Sequence, residues 1–330
     1  MTLPAWTPLI SCCATAALLT ITTSVAAQTA DDQLIDELRR EFETAADTAQ
    51  LGVGYAAMIN FAVNADISTA SYRIDSESED DPVLDVYRVP LRKVFDIDGY
   101  PWRPFVQLGF AYQTLDTGFE FVPDEKVDAQ WRAFGGSLAT GAEIPISESL
   151  TLIPAIDVGL IRLENDADYD GELSNRLLKP ALKGVLFDWE ADAWLAGATL
   201  GLDYQRDLGP FDLNVHGGLT HNYIETYDSS SDLIDFSGRV TTFAVQADTL
   251  HPTSWSLAGY PLALVLHVGN TTFLGSDRDA IGFDSFFEAG AALEADVSGS
   301  RGSLKSLRLG AKAIYGADVR GWSVIFGYQF

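Results

Sequence analysis

Gly321–Phe330 reads GWSVIFGYQF and ends the chain on an aromatic residue. Side chains alternate between the two faces of a strand. Trp322, Val324, Phe326, Tyr328 and Phe330 therefore share one face, and Gly321, Ser323, Gly327 and Gln329 share the other, with Ile325 the exception. Soluble domains usually leave their termini polar and frayed. A large apolar face backed by small and polar residues suits lipid on one side and a lumen on the other. It also suits the half-buried last strand of a soluble sandwich, so the rest of the chain has to separate the two.

Upstream segments repeat the pattern. In 286–297, Phe287, Ala289, Ala291, Leu293 and Ala295 alternate with Glu288, Gly290, Ala292, Glu294 and Asp296. In 306–315, Leu307, Leu309, Ala311 and Ala313 alternate with Ser306, Arg308, Gly310 and Lys312. The polar face mixes glycine with charge, whereas a sandwich keeps long charged side chains outside. The runs are also longer than the usual soluble strand and about right for a tilted membrane crossing. Counting back from the C-terminus gives about twelve strands, near 321–330, 304–316, 285–297, 260–274, 236–249, 210–225, 190–206, 148–163, 130–145, 104–115, 83–97 and 66–75. An even number is what a bacterial single-chain barrel requires. The fold class is therefore all-β: a transmembrane antiparallel up-and-down barrel over residues 66–330. A further run near 52–62 breaks parity and reads as a connecting segment. Stretches 76–82, 116–130, 164–188 and 227–235 read as long polar loops at one end, with short turns at 145–149 and 207–210 at the other. Connections 98–104 and 252–259 are longer than that scheme prefers.

Lys+Arg total 21 against Asp+Glu 47, a formal net charge of -26. Phosphate binding needs a basic face, so nucleic acid is not an expected partner. Residues 1–27 hold no charged side chain; an apolar run from Leu9 to Ile21 precedes Val25-Ala26-Ala27, which reads as a secretory signal cleaved after Ala27. Cys12 and Cys13 both lie in that segment, leaving no thiol chemistry to the mature chain. Residues 31–49 read as a helix whose stripe is Leu34, Leu38 and Phe42, with an acidic start suited to a helix N-terminus. Residues 28–65 thus hold that helix and a lumenal connection.

With signal, helix, twelve strands and terminal Phe in place, the chain resembles the solitary outer-membrane autotransporter β-barrel family. The ending, with Phe326, Tyr328 and Phe330 at alternating positions, is similar to the assembly signal of Gram-negative outer-membrane proteins. A helix leading into a C-terminal twelve-strand barrel is similar to an autotransporter translocator, with only Gln28–Ala30 where a passenger would stand. The resemblance implies a monomer in the outer-membrane bilayer among lipopolysaccharide, delivered by periplasmic chaperones and inserted by the barrel-assembly machinery. It also implies that the helix sits in the pore.

The hairpin of the last strands but one fixes a lumenal set. Glu294 falls opposite Arg308 and Gly290 opposite Lys312, so Lys312 needs a second partner. Acids on the helix, such as Glu41, are candidates for Lys312, while Arg39 or Arg40 would meet Glu288 or Asp203. The lumenal carboxylates Asp203, Glu288, Glu294 and Asp296 also admit a small cation-preferring channel. Asp166, Asp168 and Asp170 open like a calcium loop, D-x-D-x-D-G, but Leu177 stands where an EF-hand needs its bidentate acid. Calcium is the only cofactor the sequence suggests, and a solvated acidic loop is the plainer reading. His216, His221, His251 and His267 invite comparison with lipid hydrolases, but no serine is spaced against them. No enzymatic activity is expected.

Overall fold

A computed structural model of the chain describes residues 27–48, 51–64, 69–75, 81–122, 125–231, 234–275, 282–298 and 305–329. The segment up to residue 26, residues 76–80, Phe330 and the side chain of Tyr328 lie outside the described residues, and with them the expected signal. Two helices, α1 (Ala27–Thr48) and α2 (Leu51–Val63), precede twelve strands. The strands are β1 Ala70–Ile74, β2 Val83–Val94, β3 Arg103–Val122, β4 Glu125–Pro145, β5 Leu150–Asp170 and β6 Trp189–Asp207. They continue as β7 Asp212–Ser229, β8 Ser237–Leu257, β9 Tyr260–Leu274, β10 Ser285–Asp296, β11 Ser306–Gly316 and β12 Val319–Gln329. Each pairs antiparallel with its sequence neighbours and β1 pairs with β12, so the sheet closes as an up-and-down barrel. Closure removes the unpaired edges that lipid cannot satisfy.

The lipid face is the one the alternation picks out. Phe287, Tyr315, Trp322 and Phe326 are each more than 60 % exposed, while Glu288 on the opposite face is 3 % exposed. No helix among the described residues is long and apolar enough to cross a membrane. Strands do the crossing.

The wall is uneven: β3–β8 run 18–21 residues, whereas β10–β12 run 11 or 12. Over the extra length the alternation inverts. In the lower part of β4 and β5, Leu138, Ile156, Val158 and Leu160 face outward. Toward the far end, Trp131, Ala133, Ile161 and Leu163 are buried inside, and Arg132, Arg162 and Glu164 stand outside. Beyond the bilayer water surrounds the outer face, so polar-out and apolar-in becomes the favourable arrangement. This corrects two of the expected loops. Residues 116–122 belong to β3, 125–130 to β4 and 164–170 to β5. The connection expected at 252–259 is also strand up to Leu257, and only Ala258 and Gly259, both at positive φ, make the turn.

Two corrections concern the N-terminal segment. The run near 52–62 is helix α2, and it, not residues 31–49, packs against the inner face of the strands. Ala56, Ile59, Asn60 and Phe61 are fully buried. A helix apolar all round belongs in an interior, while one with a charged face keeps that face in water. α1 is of the second kind, with Asp32, Asp36, Glu37, Arg40 and Glu41 exposed. It rests on the β5–β6 connection, where a π-helical turn, Ser174–Leu178, runs into a short helix α3, Lys179–Leu182. We call this the lid end of the barrel; β12 finishes at the other.

Candidate functional site

The lumen is the site, and it is built in three levels. At the lid end, Leu38 and Phe42 of α1 share one buried cluster with Leu177, Leu178, Ala181 and Leu182 of the connection and with Trp131 and Leu163 of the wall. Burial of each large side chain contributes roughly 1.5–3 kcal/mol relative to exposure. Polar contacts orient the cap: Arg39 donates to the Pro180 carbonyl at 3.4 Å, and Arg176 lies 3.6 Å from Asp31. Glu125, at the start of β4, accepts the backbone N–H groups of Leu173 and Ser174 at 3.1 and 2.6 Å. Its carboxylate thereby satisfies amides that a helical start leaves without intrahelical partners.

The second level is α2. Tyr55 stands edge-on to Trp189 with centroids 4.9 Å apart and lies 5.6 Å from Phe236, both at the lid end. Phe61 sits among Tyr72, Phe273, Phe283 and Phe286. Arg88 of β2 closes the helix C-terminus, donating through Nη2 to the carbonyls of Phe61 and Ala62 at 2.8 and 2.7 Å. Asn60 donates to Thr242 at 3.1 Å and accepts from Asn222 at 2.8 Å. The chain therefore enters from the lid end and descends toward the middle of the barrel before β1 begins.

The third level is polar. Below Asn64 a cavity of about 130 Å³ is lined by Arg92, Gln107, Ser137, Asp157, His216 and Asn222 among others. Across it β8–β11 carry a charge network. The predicted register holds: Glu294 is opposite Arg308 and Gly290 opposite Lys312. Arg308 bridges Glu294 at 2.8 Å and Asp248 at 2.6 Å, and Asp248 accepts from His267 at 2.7 Å. The second partner of Lys312 is Glu288 of the neighbouring strand, 3.1 Å away, in place of the expected helix acid. Gly290 makes the room, since a Cβ there would fall 2.4 Å from that of Lys312. Arg39 of α1 likewise pairs with Glu43 at 3.2 Å instead of reaching Glu288 or Asp203.

Asp203 bonds the ring of His216. Asp296 lies at the rim opposite the lid end and accepts the Ser298 N–H at 2.9 Å, outside the network. Phe326 is on the lipid face. His216 and His267, each oriented by an aspartate, face the lumen; His221 is exposed and bonded to Thr241. A base for lipid hydrolysis would have to stand on the outer face, where of these three only His221 lies.

The calcium-loop geometry is not formed. Asp166, Asp168 and Asp170 are alternate outward positions of β5, opposite Gln130, Asp128 and Lys126. Asp166 and Asp170 stand about 13 Å apart along the strand, too far for all three carboxylates to converge on one ion. Asp166 is taken by Arg132. Among the described residues no group of three His, Cys, Asp or Glu is placed to hold a metal.

Sequence reasoning missed Asn60, Arg88, Glu125 and Asp248. Asn60 carried a signal, as the one amide in the apolar run 51–63; the other three make contacts with distant residues and carried none.

Residues 54–330 match the profile of the solitary outer membrane autotransporter beta-barrel domain. No curated protein matches the chain significantly. Among similar solved structures is the β domain of the Bordetella autotransporter BrkA, 13% identical with a TM-score of 0.47, covering 79% of this chain and 97% of that one. The translocator domain of NalP from Neisseria meningitidis is 12% identical with a TM-score of 0.48, covering 79% and 85%. The transport unit of AIDA-I from Escherichia coli is 10% identical with a TM-score of 0.46, covering 85% and 99%. The profile match spans the whole barrel together with most of the helix inside it, and so the chain belongs to the solitary outer membrane autotransporter β-barrel domain family, in the bacterial outer membrane.

Proposed function

We propose that this barrel passes its own N-terminal segment outward through the pore and is then closed by it, with α2 filling the lumen and α1 capping the outer mouth. The observation that carries this reading is the direction of the chain: α1 lies at the lid end, α2 descends from it, and β12 finishes at the opposite end. If the lid end faces outward, residues before α2 have crossed the membrane. Closure is favoured by the apolar packing of α2, because water is excluded along its length. A cation-preferring channel is less well supported, since of its four carboxylates Asp203, Glu288 and Glu294 each lie against a histidine, lysine or arginine, and Asp296 is at the rim. Bilayer conductance tests the closure. The full chain should be silent for most of the time, and deletion of residues 27–63 should open a steady pore; a deletion that stays silent would refute it.

A further inference from the structure

α2 poses a problem of position. Hydrophobic contact has no direction, so along its length, above the Arg88 bonds at its C-terminus, an apolar helix in an apolar sleeve has little to choose between neighbouring depths. Small residues ease sliding: an ideal Cβ on Gly238 would lie 2.6 Å from that of Ala56. Yet the helix carries one amide, Asn60, fully buried, and two strands answer it. Thr242 of β8 accepts from it at 3.1 Å, and Asn222 of β7 donates to it at 2.8 Å. Both partners are 1 % exposed. The wall has also made room for this contact. Asp157, Gly197 and Asn222 lie in one row across β5, β6 and β7. A Cβ on Gly197 would fall 1.8 Å from Asn222 Oδ1, so the glycine lets the Asn222 amide take up its place beneath the helix.

We propose that Asn60 is a depth stop, which fixes the level at which the translocated chain comes to rest in the pore. A shift of one helical turn moves the amide by about 5.4 Å, beyond hydrogen-bond reach of both partners. One turn deeper, Ala56 would stand at that level and leave Asn222 and Thr242 facing an apolar side chain, and buried polar groups without partners are strongly disfavoured. The stop thus acts by making a deeper position costly, as a lone buried asparagine sets register between helices. This inference rests on the closure proposed for the pore.

The test uses the full chain carrying Asn60→Leu and, separately, Thr242→Val. Heat-modifiable migration checks that the barrel forms. A disulfide between Tyr55→Cys and Phe236→Cys, whose rings lie 5.6 Å apart, should form in the parent, and its yield should fall several-fold in both variants. Channel openings should become about tenfold more frequent, the factor expected when roughly one buried pairing is lost. Deleting residues 27–63 separates the stop from the closure. If the deletion opens the pore while both variants keep the parent's crosslink yield and opening frequency, the stop is overturned and closure stands. If the deletion does not open the pore, closure fails, and the crosslink yield alone decides whether Asn60 sets the depth. Should Asn60→Leu fail to fold, the crosslink yield of Thr242→Val decides in its place.

Discussion

Arg88 and Phe61 are joined by a hydrogen bond of 2.8 Å from guanidinium to carbonyl, and the same Nη2 donates to the next carbonyl, Ala62, at 2.7 Å. The last carbonyls of α2 have no intrahelical donors, and Arg88 supplies them. A cation there also opposes the negative end of the helix dipole.

Arg88→Ala should therefore destabilise the seated helix more than the wall. Leaving the carbonyls without donors costs about 1–3 kcal/mol. Tryptophan fluorescence in detergent should show an early, partial transition as Tyr55 leaves Trp189, with the barrel melting later. A single unshifted transition would count against it.

Glu125 tests the cap in the same way. Its carboxylate holds the N–H groups of Leu173 and Ser174 across 48 and 49 residues of sequence. Glu125→Ala should cost about 0.5–2 kcal/mol, the range of a lost helix cap. Glu125→Gln, which keeps one acceptor, should cost less. Limited proteolysis between residues 172 and 188 should be faster in Glu125→Ala than in Glu125→Gln, and equal rates would show that the contact is incidental.

The wall of the barrel was legible from its alternation because lipid imposes one rule on every strand that crosses it. Legibility failed where that rule stops. In β4 and β5 the apolar phase moves from Leu138 and Leu160 outside to Trp131 and Leu163 inside, and a phase change reads as a loop to any scheme that expects one phase. The Asp166–Asp170 motif was lost to the same cause: its period of two belongs to a strand. α2 was misread for another reason. Residues 51–63 are apolar on every side, so neither a helical nor a strand period shows. The lumenal register of Glu294 with Arg308 was recoverable because the hairpin is local. Glu288 reaches Lys312 diagonally across it, which a rule of directly opposite pairs does not anticipate.

Calcium separates the loop from the strand directly. Titration calorimetry of the refolded chain with millimolar calcium should give no saturable heat that depends on Asp166, Asp168 and Asp170 together. A site abolished by replacing all three with asparagine would mean that this segment leaves β5 when the ion is present.

Gly197→Ala probes the wall side of the helix contact. The added methyl group would meet Asn222 Oδ1 at 1.8 Å and Asp157 Oδ1 at 2.8 Å. Asn222 must then move off Asn60, and the crosslink between Tyr55→Cys and Phe236→Cys should weaken as in Asn60→Leu. Alanine at Gly217, where a Cβ meets nothing within 4 Å, should leave it unchanged. Equal behaviour of the two variants would argue that Asn222 does not position the helix.

The direction of the chain through the pore is the central claim, and labelling of intact cells tests it most directly. Cys12 and Cys13 are replaced by serine, and one cysteine is placed at Asp32, an exposed position of α1. A membrane-impermeant maleimide should label it without permeabilising the outer membrane. A cysteine at Asp207, at the opposite end, should react only after permeabilisation. Labelling at Asp32 that likewise requires permeabilisation would contradict the account, because α1 would then never have crossed the membrane.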